Sequence, residues 1–202
     1  MFRSFAEKVM AYAIKCGYVP KDESEEYIYG LDLIMSVIFS DISMLIIGII
    51  MHMIPEVIIF ILLYKCIRKY GGGFHCETAI TCYICSCIMC VCVLLAMKYF
   101  PYNFIIYIAA TIILLALLFI MSPIEAINKP LDDIEFKVFG RRARFVILAV
   151  LAIFGAVCAL GLFDIVKAMT ISIADVTLFA IMGKVKLLYY KKKNYQNEGD
   201  AV

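Results

Sequence analysis

His75 and Cys82, seven residues apart, are the pair in this chain whose types and spacing could do covalent chemistry. An imidazole within reach of a thiol can take its proton, and the thiolate then attacks a carbonyl, the Cys/His arrangement of acyl transfer. The pair follows Arg68-Lys69-Tyr70-Gly71-Gly72-Gly73-Phe74, where cations and glycines interrupt two apolar runs. Irregular backbone at a membrane boundary must line a polar site or be buried in protein. On one straight helix seven residues span about 10 Å, too far for a hydrogen bond. The glycines therefore have to fold His75 back over the start of the helix that carries Cys82. If that helix begins near Glu77 or Thr78, either of which could cap it, Cys82 sits close to its positive end, where a thiolate is stabilised.

Composition gives the class of protein that must position this pair. Of 202 residues, 64% are hydrophobic and 18% charged, and mean hydropathy is +0.94, values of an all-α polytopic integral membrane protein rather than a soluble domain. The net charge of +2 gives no sign of nucleic-acid binding. Phe2, Phe5, Val9, Tyr12 and Cys16, with Arg3, Glu7, Lys8 and Lys15 between them, predict an amphipathic interfacial helix over 1–17, ended by Gly17 and Pro20. Apolar runs follow at Leu31–Met53, Pro55–Ile67, Thr78–Met97, Asn103–Met121, Phe145–Phe163 and Ala168–Met182. About six transmembrane helices are expected over 31–183, the second the shortest, with a basic tail over 184–202, all in a single membrane-embedded domain. Lys65, Arg68 and Lys69, then Lys129, Lys137, Arg141, Arg142 and Arg144, then the lysines from Lys184 onward fall on one side, against Lys98 and Lys167 on the other. The positive-inside rule puts both termini and the glycine stretch at the cytoplasmic face of the cell membrane.

Six of the nine cysteines crowd between Cys76 and Cys92. Cys82-x-x-Cys85 and Cys87-x-x-Cys90 have the spacing of paired zinc motifs, but on a continuous helix the two pairs face differently, so no metal or other cofactor is expected. Cys85, Cys87, Cys90 and Cys92 read as small apolar packing residues. Asp32, at the start of the first span, is better placed than Asp41, about 13 Å deeper, to orient His75. A capping or interfacial role accounts for Asp32 as well. Asp41 and Asp175 fall inside spans, where a carboxylate is costly and usually faces protein or water.

The pattern Arg68-x-x-x-Gly72-Gly73-x-His75-x6-Cys82-x3-Ser86, followed by Ser122-Pro123 and Asn128-Lys129-Pro130-Leu131, resembles the signature of the accessory gene regulator B family of membrane cysteine endopeptidases. The resemblance extends over nearly the whole chain. It implies His75 and Cys82 as catalytic residues and a short amphipathic propeptide as substrate, trimmed at its C-terminus and cyclised to a thiolactone for quorum sensing. Arg68, Gly73, Ser86 and Asp32 are candidate supporting residues. Lys129, Lys65 and Lys69 could receive the propeptide's charge beside the lipid bilayer. The large apolar surface permits a homodimer without requiring one. A peptide transporter or exporter without covalent chemistry is the rival reading, and it needs no nucleophile.

Overall fold

The structure is a computed structural model that describes residues 2–20, 24–73, 78–101, 103–125 and 132–199. Among the described residues it is all helical: α1 (Arg3–Lys15), α2 (Ser24–Ile50), α3 (Ile54–Gly71), α4 (Ala79–Tyr99), α5 (Phe104–Met121), α6 (Asp133–Ala159) and α7 (Phe163–Gly199). Five of them, α2, α4, α5, α6 and α7 as far as Tyr190, are long and apolar enough to cross a membrane. Helices suit lipid because every mid-span backbone group is bonded within its own segment. The count differs from the expected six at α3. Its eighteen residues include Glu56, Lys65, Arg68 and Lys69, so no full-length window of it is free of charge. The chain is a multi-pass membrane protein.

The chain divides into two compact units, Met1–His52 with Cys76–Val91, and Met53–His75 with Cys92–Val202. In the first, α1 lies against α2. Ala6, Met10 and Ile28 form its buried centre, flanked by Ala13, Ile14, Val19 and Leu31. Arg3 holds Glu7 and Glu25, each at 3.0 Å. Phe5, Val9 and Tyr12 point away and stay 53%, 40% and 70% exposed, as an interfacial helix facing lipid requires. At the end of α1 the Gly17 N–H donates to Ile14 O and the Tyr18 N–H to Ala13 O, both at 3.0 Å, with Gly17 at φ +75°. That is the Schellman closure, and it stops the helix where the sequence indicated.

In the second unit α7 is the central helix. The core runs through Ile67 of α3, Tyr107, Leu115 and Leu118 of α5, Ile147, Val150 and Phe154 of α6, and Val166, Met169, Ile173, Val176 and Ala180 of α7. Thr111 and Thr170, both buried, join hydroxyls at 2.8 Å. Thr170, Ser172 and Thr177 bond carbonyls one turn back on their own helix, so the polar residues of the central helix are satisfied locally. Lys167 Nζ donates to Phe100 O at 2.6 Å at the end of the unit near the start of α7. Phe179, twelve residues along α7, lies about 18 Å from that end.

Candidate functional site

Cys82 sits one turn into α4, half-buried. The start of that helix is formed by Thr78: its Oγ1 accepts the Thr81 N–H at 3.2 Å, and its carbonyl accepts the Cys82 N–H at 3.0 Å. Thr78, of the two residues that could cap, thus satisfies an orphan donor of the first turn. Ser86 lies one turn beyond Cys82, and its Oγ donates to the Cys82 carbonyl at 2.9 Å. The serine shares the cysteine's helix face, and its proton is committed to the backbone. Next to the nucleophile, Tyr83 anchors α4 on α2. Its ring lies 5.2 Å from that of Phe39, which meets Phe2 of α1 at 5.4 Å. The Tyr83 hydroxyl shares a 3.0 Å hydrogen bond with Ser43. Sequence reasoning passed over Tyr83; its polar tip within an apolar run was the available signal. Asp32 is also in this unit, where its Oδ1 accepts the Phe2 N–H at 2.5 Å. This bond ties the start of α1 to α2. Among the described residues every cysteine is a free thiol.

The glycine stretch is built in the other unit, around the end of α3. The Gly72 N–H closes the helix on Arg68 O at 3.1 Å, and the Ile124 N–H donates to Gly71 O at 2.9 Å. Gly72 and Ile124 form an isolated parallel bridge. Gly72 has φ +74°, and a Cβ built on it would lie 2.0 Å from the Ile124 carbonyl oxygen. Only glycine meets both conditions. Gly73, buried and at φ +141°, rests on the α7 backbone: its Cβ position is 3.6 Å from Phe179 O. The partner segment is held in turn by packing of Pro123, whose ring would meet a Cβ on Gly140 at 3.2 Å. The Ser-Pro segment that the sequence singled out is therefore the brace of the glycine turn.

Arg68, half-buried, donates to the Tyr64 hydroxyl and lies with its Cζ 5.6 Å from the Phe179 ring centroid. Phe179 is one turn beyond Asp175 on α7, so the guanidinium lies on the face of α7 that carries this acid. One residue on, Lys69 lies 5.4 Å over the Tyr70 ring. The same ring receives Arg142 of α6 at 5.9 Å and meets Phe139 at 6.4 Å. Lys65 and Lys69 are exposed, and Arg142 joins Lys69 at the same aromatic ring, a pairing that needs α6 folded against α3. His75 and Lys129 lie outside the described residues, as do Glu77 and the Asn128-Lys129-Pro130-Leu131 stretch. Arg68 and Gly73 thus fall together in one unit, and Cys82, Ser86 and Asp32 in the other.

Comparison of the sequence with known proteins gives its family. A family profile described as accessory gene regulator B covers residues 6–182. The chain belongs to the accessory gene regulator B family. Two curated relatives come from Clostridium perfringens. An AgrB-like protein 2 from strain 13 / Type A is 26% identical over 137 residues. An AgrB-like protein from strain SM101 / Type A is 27% identical over 137 residues. In each case the match covers 64% of this chain and 64% of the relative. No solved structure matches the chain. Membership and the apolar helices together give a multi-pass membrane protein of this family.

Proposed function

We propose that this protein is a membrane cysteine endopeptidase that removes the C-terminal tail of a short amphipathic propeptide and leads it toward a thiolactone quorum-sensing signal. The observation that carries the reading is Cys82 at the Thr78-capped start of α4, within a chain that matches the family over residues 6–182. A half-buried thiol there is near the positive end of a helix and shielded from bulk water.

His75 takes the proton from the Cys82 Sγ, and the thiolate attacks the scissile carbonyl. The carbon–nitrogen bond breaks, the departing amine takes the proton back from His75, and an acyl thioester on Cys82 remains. A cysteine within the bound propeptide then attacks the thioester carbon and displaces the Cys82 thiolate, closing the ring. One thioester replaces another, so the exchange is near thermoneutral, and it proceeds as long as water is kept from the acyl group. Arg68 closes α3 at the glycine turn, where its carbonyl receives the Gly72 N–H. Gly73 shapes the approach to His75, and Ser86 lines the face that carries the nucleophile. Lys65, Lys69 and Lys129 receive acidic groups of the propeptide at the cytoplasmic face, where the lysine and arginine bias puts this end of the protein.

Co-expression with a short amphipathic propeptide from the adjoining reading frame tests the proposal by mass. Wild type yields a trimmed or cyclised peptide, and Cys82→Ser and His75→Ala each abolish the cleavage. Cleavage that survives Cys82→Ser would favour the transporter reading instead.

A further inference from the structure

Asp175 is a buried acid of the second unit that local bonding leaves unsatisfied. It lies in the middle of α7, only 7% exposed, and its Oδ2 has no hydrogen-bond partner among the described residues. The other buried polar side chains of α7, at Thr170, Ser172 and Thr177, each bond a carbonyl one turn back. A carboxylate at such depth is costly unless an opposite charge faces it. Arg68 brings an opposite charge to that face of α7: its Cζ lies 5.6 Å from the ring of Phe179, and Phe179, four residues beyond Asp175, is on the same face of the helix.

Arg68 is also the residue on which α3 ends, since its carbonyl receives the Gly72 N–H at 3.1 Å. Gly73 then crosses α7 above Phe179 and Ala180, and in the sequence His75 follows two residues later. One short stretch of α7, Asp175 to Ala180, thus meets the turn twice, through its backbone beneath Gly73 and through the helix face on which the guanidinium of the closing residue rests. We propose that Asp175 is a positioning residue which, through Arg68, fixes the end of α3 and the glycine turn, two residues ahead of His75 in the sequence. Without the carboxylate the guanidinium keeps the Phe179 ring but is held less firmly on α7, and the last turn of α3 with it. The inference rests on the peptidase reading, because the quantity it governs is the rate of thiolate attack.

The test is single-turnover cleavage of the same propeptide by the full chain in membranes. The proteins compared are wild type, Asp175→Asn, Asp175→Glu, Arg68→Gln, the Arg68→Gln/Asp175→Asn pair, and Cys82→Ser, with folding followed by gel filtration in detergent. A displacement of about 1 Å at a reacting group costs on the order of 100-fold. Asp175→Asn should therefore lower the cleavage rate about 100-fold while peptide KM stays within about threefold. Asp175→Glu should recover at least a tenth of the wild-type rate. The double variant should be no slower than Arg68→Gln alone, since a residue that acts through another adds nothing once that one is gone. A separate structural role would multiply the two losses instead, and that result overturns the proposal, as does an Asp175→Asn protein within threefold of wild type. If Asp175→Asn does not fold, Asp175→Ser is measured in its place: folded and slowed about 100-fold upholds the proposal, and folded at full rate overturns it. A Cys82→Ser protein that still cleaves defeats the peptidase reading itself. An inactive Cys82→Ser beside a fully active Asp175→Asn defeats only the role of Asp175.

Discussion

Gly72→Ala should be the most damaging single-methyl substitution in the described part of the chain, and its cost can be built from two separable terms. The first is conformational: at φ +74° and ψ −158°, a region essentially confined to glycine, an L residue costs on the order of 1–3 kcal/mol. The second is steric. The added Cβ would stand 2.0 Å from the Ile124 carbonyl oxygen, a backbone atom that cannot rotate away. The two segments must part by more than 1 Å, about enough to break the 2.9 Å bond from Ile124 N–H to Gly71 O, at about 1–3 kcal/mol for buried groups. The total is about 2–6 kcal/mol. Gly17→Ala is the reference for a positive φ without a clash, because Gly17 has φ +75° with nothing within 4 Å of its Cβ position. Gly71→Ala adds a contact of 3.3 Å to the movable Ser122 Oγ, in helical backbone, and should be milder than either. Thermal unfolding of the three variants in one detergent, alongside propeptide cleavage in membranes, gives the comparison. Gly72→Ala should lose more stability than Gly17→Ala and cleave about 100-fold more slowly than wild type, as a shift of about 1 Å implies. If Gly72→Ala and Gly17→Ala lose equal stability, the bridge to Ile124 is not what holds the glycine turn.

Other substitutions test the remaining supports. Thr78→Ala removes the Oγ1 that accepts the Thr81 N–H and should cost about 1 kcal/mol, with Thr78→Ser close to wild type in thermal unfolding. Asp32→Asn weakens the tether to the Phe2 N–H, so amide exchange in α1 should speed up while cleavage stays within about threefold. A lost cleavage activity with α1 still protected would instead make Asp32 the orienter of His75. Thr111→Val breaks the 2.8 Å bond to Thr170 and should lower stability by about 0.6 kcal/mol, because Thr170 keeps its bond to Val166 O.

Much of the site was legible because its signals are local in sequence. The glycine-His-Cys pattern, the Ser-Pro segment, the capping threonine and the Gly17 stop are each read within a few residues, on the scale at which turns and caps act. Tyr83 escaped notice because an aromatic within an apolar run reads as lipid-facing until Phe39 and Ser43 are seen beside it. The span count differed at α3 for an electrostatic reason: hydropathy favours the run up to Ile67, while Lys65, Arg68 and Lys69 belong to the same helix.

By itself the sequence determined that this chain is a helical membrane protein and which residues could be its nucleophile and base. Hydropathy is additive along the chain, and a backbone in lipid has few ways to satisfy its bonds other than a helix. Tertiary structure decided what no local window contains. It set which stripe of α1 packs against α2 and which faces outward. It placed the carbonyl of Ile124 where only a glycine fits, explaining Gly72 by a residue far along the chain. It also brought Arg68 of α3 over the Phe179 ring of α7, one turn from Asp175, so that an acid which looked misplaced in an apolar helix has a cation on the same helix face. Pairing energies depend on distance in space and on burial, and both are fixed only when the helices pack.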